Sequence, residues 1–470
     1  MKTYDIDCKD TICALATPPG TSAISVIRIS GKNAMRICNK IFHPSDKKKS
    51  FLKVKSHTIH HGTIIDNKMI IDDVIAAVYK NPTSYTSEDS IEFSCHGSYF
   101  IQQKILEALT HHGCRLALPG EFTLRAFLNK KLDLSQAEAV ADLISSHSKT
   151  SHKLALQQMR GGYSSKIKEL RDKLIEFSSL IELELDFSEE DVEFADKKKL
   201  HSLILKIKNN ISELKKSFSL GNVLKNGIPV TIIGKPNVGK STLLNALLNE
   251  EKAIVSEIPG TTRDIIEDTL TIDGTTFRFI DTAGLRKGGN DKIENIGIER
   301  TYEKIKQASV ILLVCDITNT SVEKIISSLD DFKHHIEKGE VKKIILIVNK
   351  LDLLAKTPKE LNNLLDMETI FISAKRKTNI NLIIDSLKEF VVNEQYIQNE
   401  PIISNIRHYE ALTKTFEAVQ NIEGGLDKNI SSDLLTVDIH SALHYLGMIT
   451  GEVTTEEILE NVFSNFCIGK

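Results

Sequence analysis

Short apolar runs separated by turn residues characterise the chain from about residue 10 to residue 118. Turn signals such as Pro18-Pro19-Gly20 and Asn81-Pro82 divide these runs, and a helical pattern covers residues 100–109. Runs of strand length cover residues 12–16, 24–29, 74–78 and 91–93. This mixture predicts a small α+β domain over residues 1–118.

A helical period replaces this pattern after Pro119-Gly120. Ser135 and Glu138 have the spacing of a capping box, which predicts a helix start at that point. Two sets of apolar residues then recur at intervals of three and four: Ile167, Leu170, Leu174, Phe177, Ile181 and Leu185, followed by Leu203, Ile207, Ile211, Leu214 and Phe218. Residues 119–220 are therefore predicted to form helices that pack on other helices.

Strand and helix patterns alternate over residues 221–392, which is typical of a doubly wound, mostly parallel sheet. Over residues 393–470 the helical pattern returns, with Thr454-Thr455-Glu456-Glu457 as a predicted cap. Neither helical stretch has a partner of its own class nearby in the sequence. The simplest arrangement packs the two stretches together as one discontinuous helical domain, with the α/β domain inserted between them.

A complete G-x-x-x-x-G-K-[ST] motif at residues 234–241 connects an apolar strand pattern at 228–233 to a helical pattern at 241–248. Its glycines allow backbone N–H groups to surround phosphates, Lys240 adds a positive charge, and Ser241 offers a hydroxyl to Mg²⁺. The motif in this context predicts a nucleotide site. Its candidate binding residues are Asn237, Val238, Gly239, Lys240, Ser241 and Thr242.

Two further segments fit the parts of a nucleotide-dependent switch. Asp281-Thr282-Ala283-Gly284 follows an apolar strand pattern, so Asp281 would hold the Mg²⁺ shell and the Gly284 N–H would meet the γ-phosphate. The polar loop ahead of it can bring the Thr262 hydroxyl to Mg²⁺ while the γ-phosphate is present. The candidate binding residues of that loop are Ser256, Glu257, Ile258, Pro259, Gly260, Thr261 and Thr262.

Asn349-Lys350-Leu351-Asp352 follows the apolar run at 344–348. The Asp352 carboxylate can accept hydrogen bonds from N1–H and the 2-amino group of guanine, which adenine cannot supply. Adenine would leave this carboxylate unpaired, typically at a cost of several kcal/mol. Ser373, Ala374 and Lys375 follow another strand pattern and complete the predicted base pocket. The sequence therefore predicts GTP rather than ATP as the ligand.

Leu285 stands where Ras-like enzymes carry the Gln that orients the attacking water. Because a Leu side chain cannot polarise water, another group must do so. The residues alone leave several acids and two arginines open for this role or for charge donation: Asp291, Glu294, Glu299, Arg263 and Arg286.

Overall composition changes this picture little. The chain has 60 Lys and Arg against 63 Asp and Glu, a net charge of −3, so global electrostatics favour neither nucleic acid nor an anionic membrane and any RNA contact must be local. The seven cysteines are scattered, odd in number and without a C-x-x-C pair, which indicates a reducing compartment. The N-terminus lacks an apolar leader and the longest apolar runs are strand-length, so we expect a cytoplasmic protein without a membrane span.

Several sequence blocks, in order along essentially the whole chain, resemble the MnmE (TrmE) family of bacterial tRNA modification GTPases. Besides the nucleotide motifs, they are Thr17-Pro18-Pro19-Gly20, Pro119-Gly120-Glu121-Phe122-Thr123, the segments 125–129, 131–134, 136–139 and 296–300, and Phe466-Cys467-Ile468-Gly469-Lys470. The resemblance implies a tetrahydrofolate-binding and dimerising domain at 1–118. It also implies a helical domain formed by 119–220 and 393–470, with an inserted Ras-like G domain at 221–392.

The resemblance also implies a reaction. Acting with an FAD-dependent partner (MnmG, GidA) in a heterotetramer, such an enzyme adds a carboxymethylaminomethyl or aminomethyl group at C5 of the wobble uridine of certain tRNAs. A 5-formyl or 5,10-methylene tetrahydrofolate supplies the one-carbon unit, and FAD belongs to the partner. GTP hydrolysis would drive domain closure rather than transfer phosphate to the product.

Family roles map onto particular residues of this chain. K⁺, held where two G domains of a homodimer meet, would replace an arginine finger, with ligands at Asn237, Ser256, Ile258 and Thr261. Glu294 would orient the water, and the catalytic set implied is Glu294, Lys240, Thr261 and Thr262. Folate contacts would fall on Arg28, Glu92, Lys131 and Lys470. The role of Cys467 stays open.

Two alternative functions remain in view. An RNA-assembly GTPase of the Era type would predict a basic C-terminal RNA-binding domain, whereas the helices after Pro401 lean acidic. A regulatory switch could dimerise through its G domains without folate chemistry. Loss of folate binding with retained GTPase activity would favour that second alternative.

Overall fold

The computed structural model describes residues 9–46, 51–186, 197–249, 268–280, 308–318, 343–353, 368–393, 402–428, 430–464, 466 and 468–469. The chain divides into two compact units. The first unit comprises Met1–Ala141, Gln158–Lys208 and Lys414–Lys470, and the second comprises Asp142–Gln157 and Asn209–Thr413.

The strands in the described ranges are numbered in chain order. They are β1 Thr11–Leu15, β2 Ile24–Ser30, β3 Phe42–Pro44, β4 Thr58–Asp66, β5 Met69–Tyr79, β6 Ser90–His96, β7 Cys114–Leu116, β8 Ile228–Ile233, β9 Asp268–Ile272, β10 Thr275–Phe279, β11 Val310–Asp316, β12 Lys343–Asn349 and β13 Thr369–Phe371. Short 3₁₀ turns cover Phe51–Lys53 and Leu351–Leu353.

The helices of the same ranges are numbered likewise. They are α1 Ala34–Ile41, α2 Tyr99–His111, α3 Glu121–Leu128, α4 Leu134–Ile144, α5 Lys149–Met159, α6 Ser164–Asp186, α7 Lys197–Asn226, α8 Lys240–Leu248, α9 Ile380–Asn393, α10 Ile406–Asp427, α11 Ser432–Thr450 and α12 Glu456–Ser464. None of these described helices is long and apolar enough to cross a lipid bilayer.

The first unit contains a seven-stranded sheet in the order β3-β4-β5-β6-β2-β1-β7. Neighbouring strands are antiparallel except for β1 and β7. Because side chains alternate between faces, Ile27 and Phe93 point into a core that also contains Ile41 of α1 and Ile105 of α2. The predicted α+β fold is confirmed, with α1 and α2 covering one sheet face.

Opposite that core lies a second, smaller apolar cluster. Ile12 and Ala14 of β1 pack there with Phe122 of α3. Arg28 lies directly opposite Ala14 in the sheet, and Glu92 lies directly opposite Arg28 on the other side. The register therefore places two charged residues of adjacent strands on the same face as this cluster.

Helices of the first unit pack as the apolar spacing predicts. The five α6 positions 167, 170, 174, 177 and 181 are at most 1% exposed. Helix α6 packs on α11, and α12 packs on α3. Residues from before and after the α/β segment thus form helical contacts within one unit.

The capping box predicted at Ser135 and Glu138 is wrong. Helix α4 begins at Leu134, and Asp133 Oδ1 accepts a hydrogen bond from Gln136 N at 2.8 Å while Gln136 Oε1 accepts one from Asp133 N at 2.9 Å. The reciprocal box is therefore formed by Asp133 and Gln136. Ser135 is buried within the first turn, where its hydroxyl lies 2.6 Å from the Ser164 hydroxyl.

The cap predicted at residues 454–457 is confirmed. Thr455 Oγ1 accepts a hydrogen bond from Ile458 N at 3.3 Å, immediately ahead of α12. A threonine hydroxyl in this position satisfies one of the free amides at the helix start.

The second unit contains a six-stranded sheet in the order β13-β12-β11-β8-β10-β9. All neighbouring pairs are parallel except β9 with β10. Core residues of these strands pack against α8 and α9. The prediction of a doubly wound, mostly parallel sheet is confirmed, and the carboxyl ends of β8, β11, β12 and β13 meet at one edge, where such folds bind ligands.

Candidate functional site: a nucleotide site and a half-buried ion pair

The phosphate loop leaves β8 and enters α8 through two glycines that have no room for a side chain. A Cβ on Gly234 would lie 2.2 Å from the Val314 carbonyl oxygen of β11. Gly239, with φ of +100°, is the N-cap of α8, and a Cβ there would lie 2.3 Å from Asn349 Nδ2. Asn237 between them also has a positive φ, +61°. The loop is thereby held close to the neighbouring strand ends.

Lys240 is the first residue of α8. Its ammonium donates to the Gly234 carbonyl at 2.6 Å and to the Lys235 carbonyl at 3.0 Å. Ser241 and Thr242 follow in the first helical turn, where backbone amides lack intrahelical partners. Positive charge and the amides of a helix start thus converge on one loop, which is the requirement for binding phosphates.

Asn349 connects the phosphate loop to the turn after β13. Its Nδ2 donates to the Val238 carbonyl at 2.8 Å, and its Oδ1 accepts from the Ala374 amide at 3.0 Å. The side chain is buried, and both bonds satisfy its polar atoms. Asn349 therefore fixes the distance between the phosphate-binding and base-binding ends of the site.

Asp352 carries the carboxylate predicted to contact the base. Its Oδ1 accepts a hydrogen bond from the Ser373 hydroxyl at 2.7 Å, while Oδ2 lies 4.0 Å from Nε of the exposed Arg376. The Ser373 hydrogen bond lowers the pKa of Asp352 below its usual range. Asp352 is therefore ionised at neutral pH, and its Oδ2 can act as a hydrogen-bond acceptor.

The described residues thus bring together the phosphate loop, Asn349, Lys350, Asp352, Ser373, Ala374 and Lys375 at one sheet edge. The remaining predicted nucleotide and K⁺ residues lie outside the described residues: Ser256, Glu257, Ile258, Pro259, Gly260, Thr261, Thr262, Asp281, Thr282, Ala283, Gly284 and Glu294. The same applies to Leu285, Asp291, Glu299, Arg263, Arg286, Cys467 and Lys470.

A second polar site lies in the first unit, around the sheet pair Arg28 and Glu92. Arg28 Nε donates to Glu92 Oε1 at 2.8 Å, and Arg28 Nη1 donates to the Gly469 carbonyl at 3.3 Å. The guanidinium carbon lies 5.4 Å from the centre of the Tyr85 ring and 5.7 Å from that of Phe122. Arg28 is 19% and Glu92 25% exposed at the side chain, so both charges remain reachable.

Lys131, predicted to join this site, lies just after α3 with an exposed side chain. In the part of the chain that the structure describes, Lys131 makes no hydrogen bond to Arg28 or to Glu92. Tyr85, Phe122 and Gly469 are neighbours that sequence reasoning missed. Phe122 and Gly469 belong to sequence blocks that resemble the family, but nothing in the sequence indicated that they contact Arg28. No sequence pattern pointed to Tyr85.

A buried charge network holds α3 against the sheet. Arg125, with no exposed side-chain surface, contacts Asp10, Glu88 and Glu121, with its Nη2 3.1 Å from Glu121 Oε1. Arg115 also bonds to Asp10 and Glu121. Burial alone would raise the pKa of Asp10, but hydrogen bonds from the two arginines lower it overall. Because Phe122 lies on the same helix as Arg125, this network positions the ring beside Arg28.

Fold and site define the class of the protein. A parallel sheet delivers a glycine-rich phosphate loop, an Asn-Lys-x-Asp segment and a Ser-Ala-Lys turn to one edge, and that combination belongs to P-loop GTPases.

Comparison with known proteins extends the assignment to the whole chain. The family model of the GTP-binding protein TrmE N-terminus matches residues 11–131, and that of the MnmE helical domain matches residues 134–467. The tRNA modification GTPase MnmE of Flavobacterium johnsoniae is 52% identical over 98% of this chain and 99% of its own. That of Cytophaga hutchinsonii is 51% identical over 98% of both chains.

Among solved structures, the G domain of the T. maritima FeoB iron transporter matches at 27% identity, covering 35% of this chain and 98% of its own with a TM-score of 0.26. The assignment depends on the near full-length relatives instead. The chain belongs to the MnmE (TrmE) family and is a GTPase of that family.

Proposed function

We propose that this GTPase acts in tRNA modification, adding a carboxymethylaminomethyl or aminomethyl group at C5 of the wobble uridine of certain tRNAs together with an FAD-dependent partner of the MnmG type. The observation that carries the proposal is identity of about half the residues over 98% of the chain to relatives named tRNA modification GTPase MnmE. The Era-type alternative is not retained, because the helical-domain family model extends to residue 467.

In the nucleotide site, GTP would bind with its phosphates on the 234–241 loop and its base edge on Asp352. The Asn349 contacts to Val238 and Ala374 support this placement, since they set the spacing between the two ends. Mg²⁺ would be held by Ser241, Thr262 and Asp281. Its role there would be to neutralise charge on the phosphate oxygens.

The Arg28 and Glu92 pair fits the chemistry of a tetrahydrofolate. A pterin ring presents adjacent N–H and amino groups that a carboxylate can accept in a bidentate manner, and the glutamate tail is anionic. Glu92 and Arg28 offer those complementary charges beside two aromatic rings. Lys131 and Lys470 would add positive charge for the tail. When bound, the folate supplies the one-carbon unit.

A homodimer is proposed for this chain, with exposed apolar residues as its structural support. Ile59 of β4 is 72% exposed and Ile75 of β5 is 45% exposed. Ile59 faces Ala77 and Ile75 faces His61 in the strand pairing, so the two isoleucines lie on one sheet face. Large apolar side chains grouped on a surface favour burial in a protein contact.

K⁺ would be held by Asn237, Ser256, Ile258 and Thr261 when two G domains meet, with Glu294 orienting water. The test is GTP turnover by the purified protein in K⁺ and in Na⁺ at equal ionic strength, with Asn237→Ala and Glu294→Ala in parallel. We expect turnover at least about tenfold faster in K⁺, loss of that difference in Asn237→Ala, and retained GTP binding with slow hydrolysis in Glu294→Ala. Equal rates in both salts would exclude the K⁺ assignment and leave the GTPase assignment intact.

A further inference from the structure

Asp316, at the end of β11, has no assigned function and lies beside the base pocket. The strand pairing places it directly opposite Asn349. Its Oδ2 accepts a hydrogen bond from Lys350 Nζ at 2.6 Å. The Asp316 side chain is 8% exposed, whereas Lys350 is 31% exposed. A buried acid thus holds the end of a lysine that follows Asn349 and lies two residues before Asp352.

The other oxygen of Asp316 is also bound. Oδ1 accepts from the Thr318 amide at 2.9 Å and from the Thr318 hydroxyl at 2.7 Å. Burial alone would raise the pKa of Asp316, but the bonds from Lys350 and Thr318 lower it overall, so the carboxylate is ionised. The two bonds from Thr318 fix the orientation of the Asp316 carboxylate independently of Lys350.

Lys350 itself has a constrained backbone. Its φ is +69°, a conformation that residues with a side chain adopt rarely. The Leu351 amide donates to the Ile372 carbonyl at 3.0 Å, which ties the segment to the turn carrying Ser373. Backbone and ammonium are therefore both fixed, and the four-carbon stem between them has little freedom left.

We infer that Asp316 is a positioning residue for guanine nucleotide binding, holding Lys350 so that its stem and ammonium are already ordered when the purine arrives. This rests on the guanine site proposed above. Lys350 precedes Asp352 by two residues, so a purine held at the Asp352 carboxylate would lie against the lysine side chain. A lysine against a purine ring gains from both stem contact and the cation–π attraction. Ordering such a side chain at the moment of binding would otherwise reduce the affinity.

The test compares GDP and IDP affinities, measured by titration calorimetry, for the full-length wild type, Asp316→Asn, Lys350→Met and the double variant. IDP lacks the 2-amino group that Asp352 would accept, but presents the same ring face. Asp316→Asn keeps an amide oxygen for Thr318 and removes the charge that holds Lys350. We expect both ligands to bind about five- to tenfold more weakly, with the GDP to IDP ratio unchanged.

The double variant should bind no more weakly than Lys350→Met, because Asp316 acts through Lys350. Asp385→Asn, a 64% exposed acid on α9, is the matched control and should leave both affinities unchanged. Unchanged affinities in Asp316→Asn, a changed GDP to IDP ratio, or additive losses in the double variant would overturn the inference. ADP is also titrated into the wild type, and ADP binding as tight as GDP binding would instead overturn the guanine site itself.

Discussion

The nucleotide site and the Arg28 and Glu92 site differ in how their residues are distributed along the chain. The proposed phosphate and base contacts come from short contiguous motifs placed at the ends of parallel strands. Arg28 instead meets Glu92 across 64 residues and Gly469 across 441 residues. The first kind of site can be recognised from local spacing, whereas the second depends on sheet register and on where the C-terminal segment lies.

Physical chemistry explains this difference. Phosphates are bound largely by consecutive backbone N–H groups, which require a short run of residues with defined conformations. An ion pair between strands requires only that two side chains reach one face, and many sequences satisfy that condition. Residue identity alone therefore gave Arg28 and Glu92 no function, and only the family resemblance assigned one.

The largest expected effect concerns the fully buried Arg125. Its loss should destabilise the unit that carries Arg28 and Glu92 and leave the nucleotide site unaffected. Arg125→Met leaves Glu88, Glu121 and Asp10 short of positive charge, and we expect the first unit to lose about 3–5 kcal/mol of stability. Hydrogen exchange of β1 and β2 amides should accelerate accordingly. GDP affinity should stay unchanged below the unfolding temperature.

The matched control is Arg171→Met. Arg171 pairs with the 42% exposed Glu452 and is itself 28% exposed, so its loss should cost under about 1 kcal/mol. Equal stability losses in the two variants would contradict the claim that the buried network, rather than arginine content, stabilises the first unit.

A smaller effect is expected at the second site. Glu92→Gln keeps the shape of the side chain but removes the charge that pairs with Arg28, so 5-formyltetrahydrofolate should bind roughly 10- to 100-fold more weakly. Equilibrium dialysis with the radiolabelled folate measures this. Glu107→Gln, an exposed acid on α2, serves as control. Wild-type folate affinity in Glu92→Gln would remove this pair from the proposed site.

Sequence patterns were most informative where one physical requirement dominates. The strand at 228–233 coincides with β8, and the apolar spacing of residues 167–181 gives the buried side of α6. The β4 and β5 hairpin was only partly predicted, as residues 74–78. Its outer face is open to solvent, and His60, His61, Asp72 and Asp73 interrupt the apolar alternation.

The capping box was wrongly predicted at Ser135 because the sequence pattern does not show which residue is buried. Ser135 and Asp133 are both good capping residues, and spacing alone does not distinguish them. Burial decides between them, because Ser135 lies against Ser164 in the interior of the unit. Asp316 was missed although it ends an apolar strand, because the function of an acid at a strand end becomes visible only when the structure shows that Lys350 binds it.

The smallest predicted effect tests whether the hydrogen bond from Ser373 controls the ionisation of Asp352. The hydrogen bond from Ser373 lowers the pKa of Asp352, so the ionised carboxylate persists to more acidic pH than an ordinary Asp, and guanine affinity persists with it. Ser373→Ala removes that bond, the pKa rises, and the loss of GDP affinity on acidification should begin at higher pH. Near neutral pH the loss should be only about two- to fivefold. Expressing the GDP affinity as the ratio of variant to wild type at each pH cancels titration of the phosphates. A ratio independent of pH would mean that Ser373 orients Asp352 without controlling its ionisation. The pKa of Asp352 would then be set by groups outside the 349–352 segment and the 373–375 turn.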